Sequence, residues 1–288
     1  CQTLVTAVMA THPPEEVLDD FEVDVECLLN ALFLKWGYDF RGYSRASLRR
    51  RVGRYMADSG FNRVADLQHE LIRDVGRCQH FVRGLTVNVT DMFRDPSFYT
   101  VLREQVIPDL RSHPFIKIWH AGCSTGEEAY SMAILLQEEG LAERAVIYAT
   151  DINSKVLDQA RKGIYHERQW ATGRENYQLS GGRHRLEDYV SAGYERFMMD
   201  PVLKKNIVFT AHDLVVDQVF GEMQLVICRN VLIYFRRELQ ARVLTLFYDS
   251  LDMGGYLGLG IKESLSAFPH PQSFRTVDAK VRVFQRID

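Results

Sequence analysis

The hydrophobic residues of the first third of the chain recur at helical spacing, without strand-like alternation. This spacing predicts three helices, at 16–34, 44–58 and 64–72. In the second helix, Leu48, Val52 and Tyr55 form the predicted buried stripe, and Ser44 is the predicted N-cap. We therefore predict an all-helical domain over residues 14–80.

The pattern changes after a further helix, predicted from an N-cap at Asp95 and a first-turn proline at Pro96 to about Val106. Short apolar runs then alternate with amphipathic segments. The runs lie at 117–121, 145–150, 206–212, 225–230 and 255–260. Continuous apolar runs of this length are typical of parallel strands buried on both faces. The alternation near the C-terminus predicts an antiparallel hairpin, so the fold class is α/β, with a Rossmann-like domain over 86–288.

One connection in this domain is longer than a helix-to-strand loop requires. It runs from Gly163 to Lys205 and is rich in Tyr, Arg and Gly. We predict a small inserted β subdomain at about 164–205.

Composition narrows the function classes. The chain has 288 residues, 46% of them hydrophobic, and a formal net charge of -3, which does not indicate a nucleic-acid-binding protein. The five cysteines are scattered without ligand spacing, which favours reduced thiols and argues against a metal site. Without an apolar run of ~18 residues or a signal peptide pattern, we predict a cytoplasmic protein with no direct membrane insertion.

The stretch AGCSTGEEAYS, residues 121–131, joins the first predicted strand to a helix. Glycine permits tight turns and lets a ligand approach the backbone, but Gly122 and Gly126 do not match the GxGxxG dinucleotide motif. Glu127 and Glu128 open the next helix and would repel a pyrophosphate. These features favour a ligand that has a cationic centre or lacks phosphate.

The second predicted strand ends at Asp151, where a carboxylate can accept hydrogen bonds from ribose hydroxyls. S-adenosylmethionine, with its ribose, ammonium and sulfonium, satisfies these constraints. Alternatively, these residues have structural roles only: the glycines form a tight turn, the glutamates interact favourably with the helix dipole, and Asp151 is an N-cap.

Four motifs together resemble one known family. They are AGCSTGEEAYS, ATDINSKVLDQARKGIY, NVTDMFRD and ICRNVLIYF, followed by GGYLGLG. In this order and spacing they are similar to the chemotaxis receptor methyltransferases of the CheR family. The resemblance implies a class I S-adenosylmethionine-dependent enzyme that methylates glutamate side chains on cytoplasmic helices of chemoreceptors. The chain departs from the family pattern at His120 and Asp213.

The resemblance also implies the site residues. Tyr234 would line the methyl-transfer site, and Arg94 would serve both catalysis and cofactor binding. The remaining implied cofactor contacts are Asn88, Thr90, Ala121, Gly122, Glu128, Asp151, Ile152, Asp213, Leu214, Arg229 and Asn230. Some of these residues could instead have purely structural roles. Arg94 could form a surface ion pair, Arg229 and Asn230 could be polar residues solvated at a strand end, and Tyr234 could be an ordinary core residue.

No serine, cysteine or histidine nucleophile arrangement is evident, and the implied chemistry needs none. A glutamate carboxylate, with a pKa of about 4.3, is already ionised near neutral pH and needs no general base. We expect Arg94 and Tyr234 to orient it.

A local basic cluster lies on and before the second helix, at Arg41, Arg45, Arg49, Arg50, Arg51 and Arg54. It could be a solvated face, a nucleic-acid contact or a dock for an acidic protein. The resemblance favours receptor methylation helices bound through Arg45, Arg49, Arg50 and Arg54. Two rival functions remain: methylation of RNA or a small molecule, and a non-catalytic signalling module that binds S-adenosylmethionine.

Overall fold

The computed structural model describes residues 18–86 and 90–288. The chain divides into two compact units, 1–85 and 86–288. Within the described ranges, none of the helices combines the length and the apolar composition needed to cross a bilayer.

The regular elements in the described part of the first unit are four helices. Its helices are α1 (Asp20–Trp36), α2 (Arg45–Ser59), α3 (Val64–Arg73) and α4 (Val75–Leu85). Asp19 and Glu22 form a capping box at the start of α1. The predicted start of this helix at Glu16 lies outside the described residues.

The first unit has one helix more than predicted, and Ser44 occupies the predicted N-cap position of α2 without forming a side-chain cap. The segment 75–85, which lies outside the three predicted helices, is α4, in which Cys78, Phe81, Val82 and Leu85 are buried at helical spacing. Ser44 precedes α2, but its side chain makes no capping hydrogen bond. Leu48 and Val52 are fully buried as predicted, whereas Tyr55 packs half-buried against the core.

The second unit alternates strands and helices. Its first part contains α5 (Pro96–Val101), a π-helical turn (Leu102–Val106), α6 (Ile107–Leu110), β1 (Ile116–Ala121), α7 (Glu127–Glu138), β2 (Ala145–Asp151) and α8 (Ser154–Lys162). Next come β3 (Ile164–His166), α9 (Arg168–Leu179), β4 (Val190–Gly193), β5 (Arg196–Met199), α10 (Pro201–Lys204), β6 (Ile207–Ala211) and β7 (Met223–Cys228). The last elements are α11 (Arg237–Ser250), β8 (Leu251–Leu259), β9 (Phe274–Asp278) and β10 (Val283–Arg286).

The predicted α/β class is confirmed. A seven-stranded sheet has the order β6-β2-β1-β7-β8-β10-β9. The first five strands in this order pair in parallel, and β10 pairs antiparallel with both β8 and β9. After β1, the chain adds β2 and later β6 on one side of β1, and it then crosses to add β7 on the other side. Ligands bind at such a switch point, outside the carboxyl ends of the strands.

The long connection between α8 and β6 has its own small sheet. Its order is β3-β5-β4, all antiparallel. The predicted inserted β subdomain is therefore present in the fold, with three strands and the additional helix α9.

Candidate active site

Three adjacent strands end at the same edge of the sheet, and a residue predicted to belong to the site lies at or just after the end of each. Gly122 follows β1, Asp151 ends β2 and Arg229 follows β7. The Gly122 and Cys123 N–H groups both donate to Thr150 O at 2.8 Å, which fixes the first turn of the glycine loop against β2.

A cavity of about 450 Å³ opens at this edge, a size typical of small-molecule sites. Seven of the predicted site residues line it: Thr90, Arg94, Gly122, Glu128, Arg229, Asn230 and Tyr234. Its walls also contain Asp95, Cys123, Ser124, Val231, Ile233, Ile261 and Lys262, which sequence reasoning did not include.

Arg229 is the electrostatic centre of the cavity wall. Its Nη1 donates to Glu128 Oε2 and its Nη2 to Asp95 Oδ2, both at 2.6 Å, while the guanidinium lies 4.3 Å from the centre of the Phe98 ring. Nη2 also donates to Arg94 O at 3.1 Å. The side chain of Arg229 is 1% exposed, so this strand-end arginine is a buried ion-pair partner and not a solvated terminus.

Glu128 is ionised because of its surroundings. Burial raises the pKa of the Glu128 carboxyl, but the charge of Arg229 and the hydrogen bond from His120 outweigh burial and lower that pKa to about 2. His120 Nδ1 lies 3.3 Å from Glu128 Oε1. An ionised carboxylate can only accept hydrogen bonds, so His120 Nδ1 is the donor in this contact.

The glycine loop needs its glycine for a steric reason. Gly122 has φ +77°, and a Cβ there would lie 2.5 Å from Val231 Cγ2, on the loop that follows β7. Ser124 has φ 52°, and its N–H donates to Asp151 Oδ2 at 2.9 Å. Ser124 Oγ is buried and makes no hydrogen bond within the described residues, which leaves a hydroxyl on the cavity wall for a ligand.

Asp151 supports the loop directly. Its Oδ2 accepts from Ser124 N and its Oδ1 accepts from Asn153 N, both at 2.9 Å. Burial raises the pKa of Asp151, and these backbone donors oppose the rise. The N-cap of α8 is Asn153, so the capping alternative for Asp151 is wrong. Each carboxylate oxygen retains a lone pair for a further donor.

Several predicted cofactor residues do not line the cavity. Ala121 is buried at the end of β1, and Ile152 follows β2. Asp213 and Leu214 follow β6, where the Asp213 carboxylate accepts from Val215 N at 2.8 Å and Leu214 is buried. His212 N donates to Asp151 O at 3.3 Å, so this loop begins beside Asp151. Asn88 lies outside the described residues.

The segment before α5 has a strained backbone. Phe93 and Asp95 have φ values of 51° and 55°, which side chains with a Cβ rarely adopt. Phe93 N donates to Ser131 Oγ at 2.8 Å, and Arg229 binds the carbonyl of Arg94 and the carboxylate of Asp95. Asp95 occupies the predicted N-cap position of α5, but its side chain makes no capping hydrogen bond, and its carboxylate binds Arg229 instead.

Glu263 is a structural residue that sequence reasoning missed. Its buried carboxylate accepts from four backbone N–H groups, those of Asn230 (3.0 Å), Val231 (2.9 Å), Ile233 (3.3 Å) and Gly260 (2.6 Å). Burial raises its pKa, and these donors oppose the rise. Glu263 thus fixes the loop in which Asn230 has φ +62° and Tyr234 faces the cavity. Its place just beyond a strand end was the signal that could have identified it.

Cys123 has none of the properties of a nucleophile. It is buried in the loop, and burial raises the pKa of its thiol well above the ordinary value, as do the charges of Asp151 and Glu128. Because the thiolate is the nucleophilic form, this cysteine acts as a small residue in a crowded turn. The four cysteines in the described part of the chain are free.

Both units match known sequences. Residues 24–86 match the family model "CheR methyltransferase, all-alpha domain", and residues 88–283 match "CheR methyltransferase, SAM binding domain". Cher3 of Pseudomonas putida is 45% identical over 92% of this chain and 97% of that protein. A chemotaxis protein methyltransferase of Listeria innocua is 30% identical over 86% of this chain and 93% of its own length. Chemotaxis protein methyltransferase 1 of Vibrio cholerae is 37% identical, covering 68% of this chain and 74% of that protein.

Proposed function

The chain belongs to the CheR methyltransferase family, and from that membership we propose that it transfers methyl groups from S-adenosylmethionine to glutamate side chains of bacterial chemoreceptors. It is an S-adenosylmethionine-dependent methyltransferase of chemotaxis. The proposed acceptors are glutamates on the cytoplasmic methylation helices, which places the reaction in the cytoplasm.

The observation that carries this proposal is the convergence of the four motifs at one edge of the sheet. Arg94, Glu128 and Tyr234 come from three of them and line the same cavity. The fourth contributes Asp151, whose carboxylate supports the loop that carries Ser124. One cavity lined by residues of separate motifs supports a reaction in which two substrates meet.

The residues present suit S-adenosylmethionine. Asp151 has remaining acceptor capacity for ribose hydroxyls, and Ser124 Oγ is a buried hydroxyl without a partner in the described structure. The backbone turn at Gly122 brings main-chain atoms to the cavity wall. We propose that these groups, with the residues around Arg229, hold the cofactor, together with the predicted contacts Asn88, Thr90, Ala121, Ile152, Asp213, Leu214 and Asn230.

The transfer chemistry places modest demands on the protein. When bound, S-adenosylmethionine supplies an electrophilic methyl group on a sulfonium. The acceptor glutamate would supply the carboxylate oxygen that takes this methyl group, with the electron pair of the carbon–sulfur bond left on sulfur. No proton moves, because a glutamate with a pKa of about 4.3 is already ionised near neutral pH. The protein must align the two reactants and exclude water.

Arg94 and Tyr234 are the proposed orienting residues for the acceptor carboxylate. Both line the cavity, and the backbone at each is held by the network already described, Arg94 by Arg229 and the Tyr234 loop by Glu263. An anion and a sulfonium react to give two neutral products, so opposite charges disappear in the transition state. A tight arginine clamp would stabilise the reactants more than the transition state, which favours a phenol hydroxyl as the closer partner.

The reaction is tested with methyl-labelled S-adenosylmethionine and membranes that contain chemoreceptors. Mild base should release the transferred label as methanol, because carboxyl methyl esters are base-labile. Arg94→Ala and Tyr234→Phe should reduce the release, whereas Tyr194→Phe, at an exposed tyrosine on the β4–β5 turn, should not. Label that resists base would exclude a methyl ester, and label in RNA or a small molecule would favour the rival substrates.

For receptor docking we propose the exposed face of α2. Arg45 and Arg49 already pair with carboxylates of the α1 region, with Arg45 Nε 3.5 Å from Glu26 and Arg49 Nη1 3.5 Å from Glu22. Arg51 is buried and donates to Leu85 O. Arg50 and Arg54 are exposed and one turn apart, so they carry most of the proposed contact with an acidic helix.

The surface is tested by charge reversal. Arg50→Glu with Arg54→Glu should raise the KM for receptor about tenfold, because two favourable charge contacts are replaced by repulsions. The same substitution at Arg63, an exposed arginine outside this face, is the matched control. An unchanged KM in the double variant would show that the receptor docks elsewhere.

A further inference from the structure

We propose that Lys262 is a specificity-determining residue that attracts and holds the acceptor carboxylate at the mouth of the cavity. The inference rests on the proposed function and adds to it a residue that no motif assigned. Lys262 is exposed and also lines the cavity, so its ammonium can reach both solvent and the reaction site. Within the described part of the chain, no ion pair engages it.

The backbone beneath Lys262 is rigid. The residue lies in the turn after β8, which is closed by Glu263 N donating to Gly260 O at 2.8 Å. The next side chain, Glu263, is the buried carboxylate that fixes the Asn230 loop. On the other side, Arg282 Nε donates to Ile261 O at 3.2 Å. Because this backbone is fixed, the flexible side chain of Lys262 can follow a substrate without moving the cavity wall.

The charges of the cavity make Lys262 suitable for an anion. Among the described lining residues, three are basic (Arg94, Arg229 and Lys262) and two are acidic (Asp95 and Glu128). Arg229 is bound to both acidic residues and is almost fully buried, so it cannot extend to an incoming group. Lys262, in contrast to Arg229, is exposed at the mouth of the cavity, where its positive charge raises the local concentration of carboxylates.

The neighbours of Lys262 indicate the chemistry around that carboxylate. Ile261 and Ile233 also line the cavity, and they are 46% and 38% exposed. Apolar side chains next to a cation match a glutamate flanked by small or apolar residues on a helix surface. They do not match a nucleic acid backbone, where an arginine- or lysine-rich surface would be expected.

A residue that binds the substrate at the mouth of the cavity and a residue that stabilises the transition state have different effects on KM and kcat. Lys262 stabilises the charged carboxylate more than the transition state, in which that charge is being lost, so its removal should raise the KM for receptor without lowering kcat. Lys262→Gln should raise KM about fivefold, as expected for one partly exposed ion pair. Lys262→Glu should raise it further, and Lys262→Arg should restore most of the wild-type value.

The experiment measures initial rates of base-labile methyl transfer against receptor concentration for wild type, the three Lys262 variants and Lys280→Gln. Lys280 is an exposed lysine on the β9–β10 turn and serves as the matched control. Unfolding temperature and S-adenosylmethionine affinity are measured in parallel and should be unchanged. A receptor KM unaltered in both Lys262→Gln and Lys262→Glu, or weakened cofactor binding in them, would overturn the inference. Failure of the wild type to methylate receptor would instead overturn the proposed function, and the inference with it.

Discussion

Arg229 and Glu128 form a buried ion pair that joins the end of β7 to the start of α7, with Nη1 2.6 Å from Oε2. The two elements come from sequence positions 101 residues apart. The pair therefore determines the distance between the glycine loop and the loop that carries Asn230 and Tyr234. Breaking a buried pair leaves one charge without a partner, which costs far more than the pair contributes.

Arg229→Met should lower the unfolding temperature by several degrees, since an uncompensated buried carboxylate costs at most about 3–5 kcal/mol and Glu128, 14% exposed at the cavity, is partly hydrated. Adding Glu128→Gln removes that charge and should restore part of the stability, because Asp95, 30% exposed, can be hydrated. Cofactor affinity should remain low in the double variant. Calorimetry measures both quantities, and strictly additive effects of the two substitutions would contradict a direct pair.

The buried carboxyl of Glu127 should make the free energy of unfolding depend on pH. Burial raises the pKa of this carboxyl to about 7, with the charge of Asp91 adding to the rise and the hydrogen bond from Thr125 opposing it. Below the ordinary pKa of about 4.5, the group is protonated in both folded and unfolded states and has no effect. As pH rises toward 7, only the unfolded state loses the proton, so stability falls.

Glu127→Gln should therefore be more stable than wild type at pH 8, by on the order of 3 kcal/mol. The difference should shrink as pH falls and vanish below about pH 4.5. Denaturant unfolding across this range measures it, with Glu222→Gln as an exposed control. A difference that is constant with pH would show that the side-chain contacts, and not ionisation, matter.

Glu263→Gln keeps the shape of the side chain but turns one acceptor oxygen into a donor that faces backbone N–H groups. With four such donors present, the substitution should cost about 2–4 kcal/mol of stability. The loss should also lower cofactor affinity and kcat, because Asn230 and Tyr234 lie on the loop that Glu263 holds. Unfolding and isothermal titration test this, again against Glu222→Gln. A fully active, stable Glu263→Gln would refute the assigned role.

Gly122→Ala should weaken S-adenosylmethionine binding, because its new methyl group meets Val231 Cγ2 at 2.5 Å on a backbone with φ +77°. Adding Val231→Ala should relieve the contact and recover part of the affinity. Gly140→Ala is the control for strain alone, since Gly140 has φ +69° with open space around it. If Gly122→Ala binds the cofactor normally, the loop is not fixed as described.

The parallel sheet and its ligand-binding edge could be predicted because buried strands are continuous apolar runs and polar residues such as Asp151 and Arg229 stand at their ends. Contacts between residues that lie far apart in the sequence could not be predicted. That Asp95 binds Arg229, and that Glu263 holds the loop of Asn230, depends on which strands are neighbours in the sheet. Helix α4 was missed because a single residue, Asp74, separates it from α3, without a loop signal between them.

We propose that this cavity directs a methyl group onto glutamate carboxylates of a chemoreceptor. The most direct measurement is mass spectrometry of receptor peptides after incubation with the protein and S-adenosylmethionine, before and after mild base. We predict methyl groups on glutamate side chains, removed by base and absent with Arg229→Met. Methyl groups on another residue type, or none on the receptor while the protein binds S-adenosylmethionine, would contradict the account.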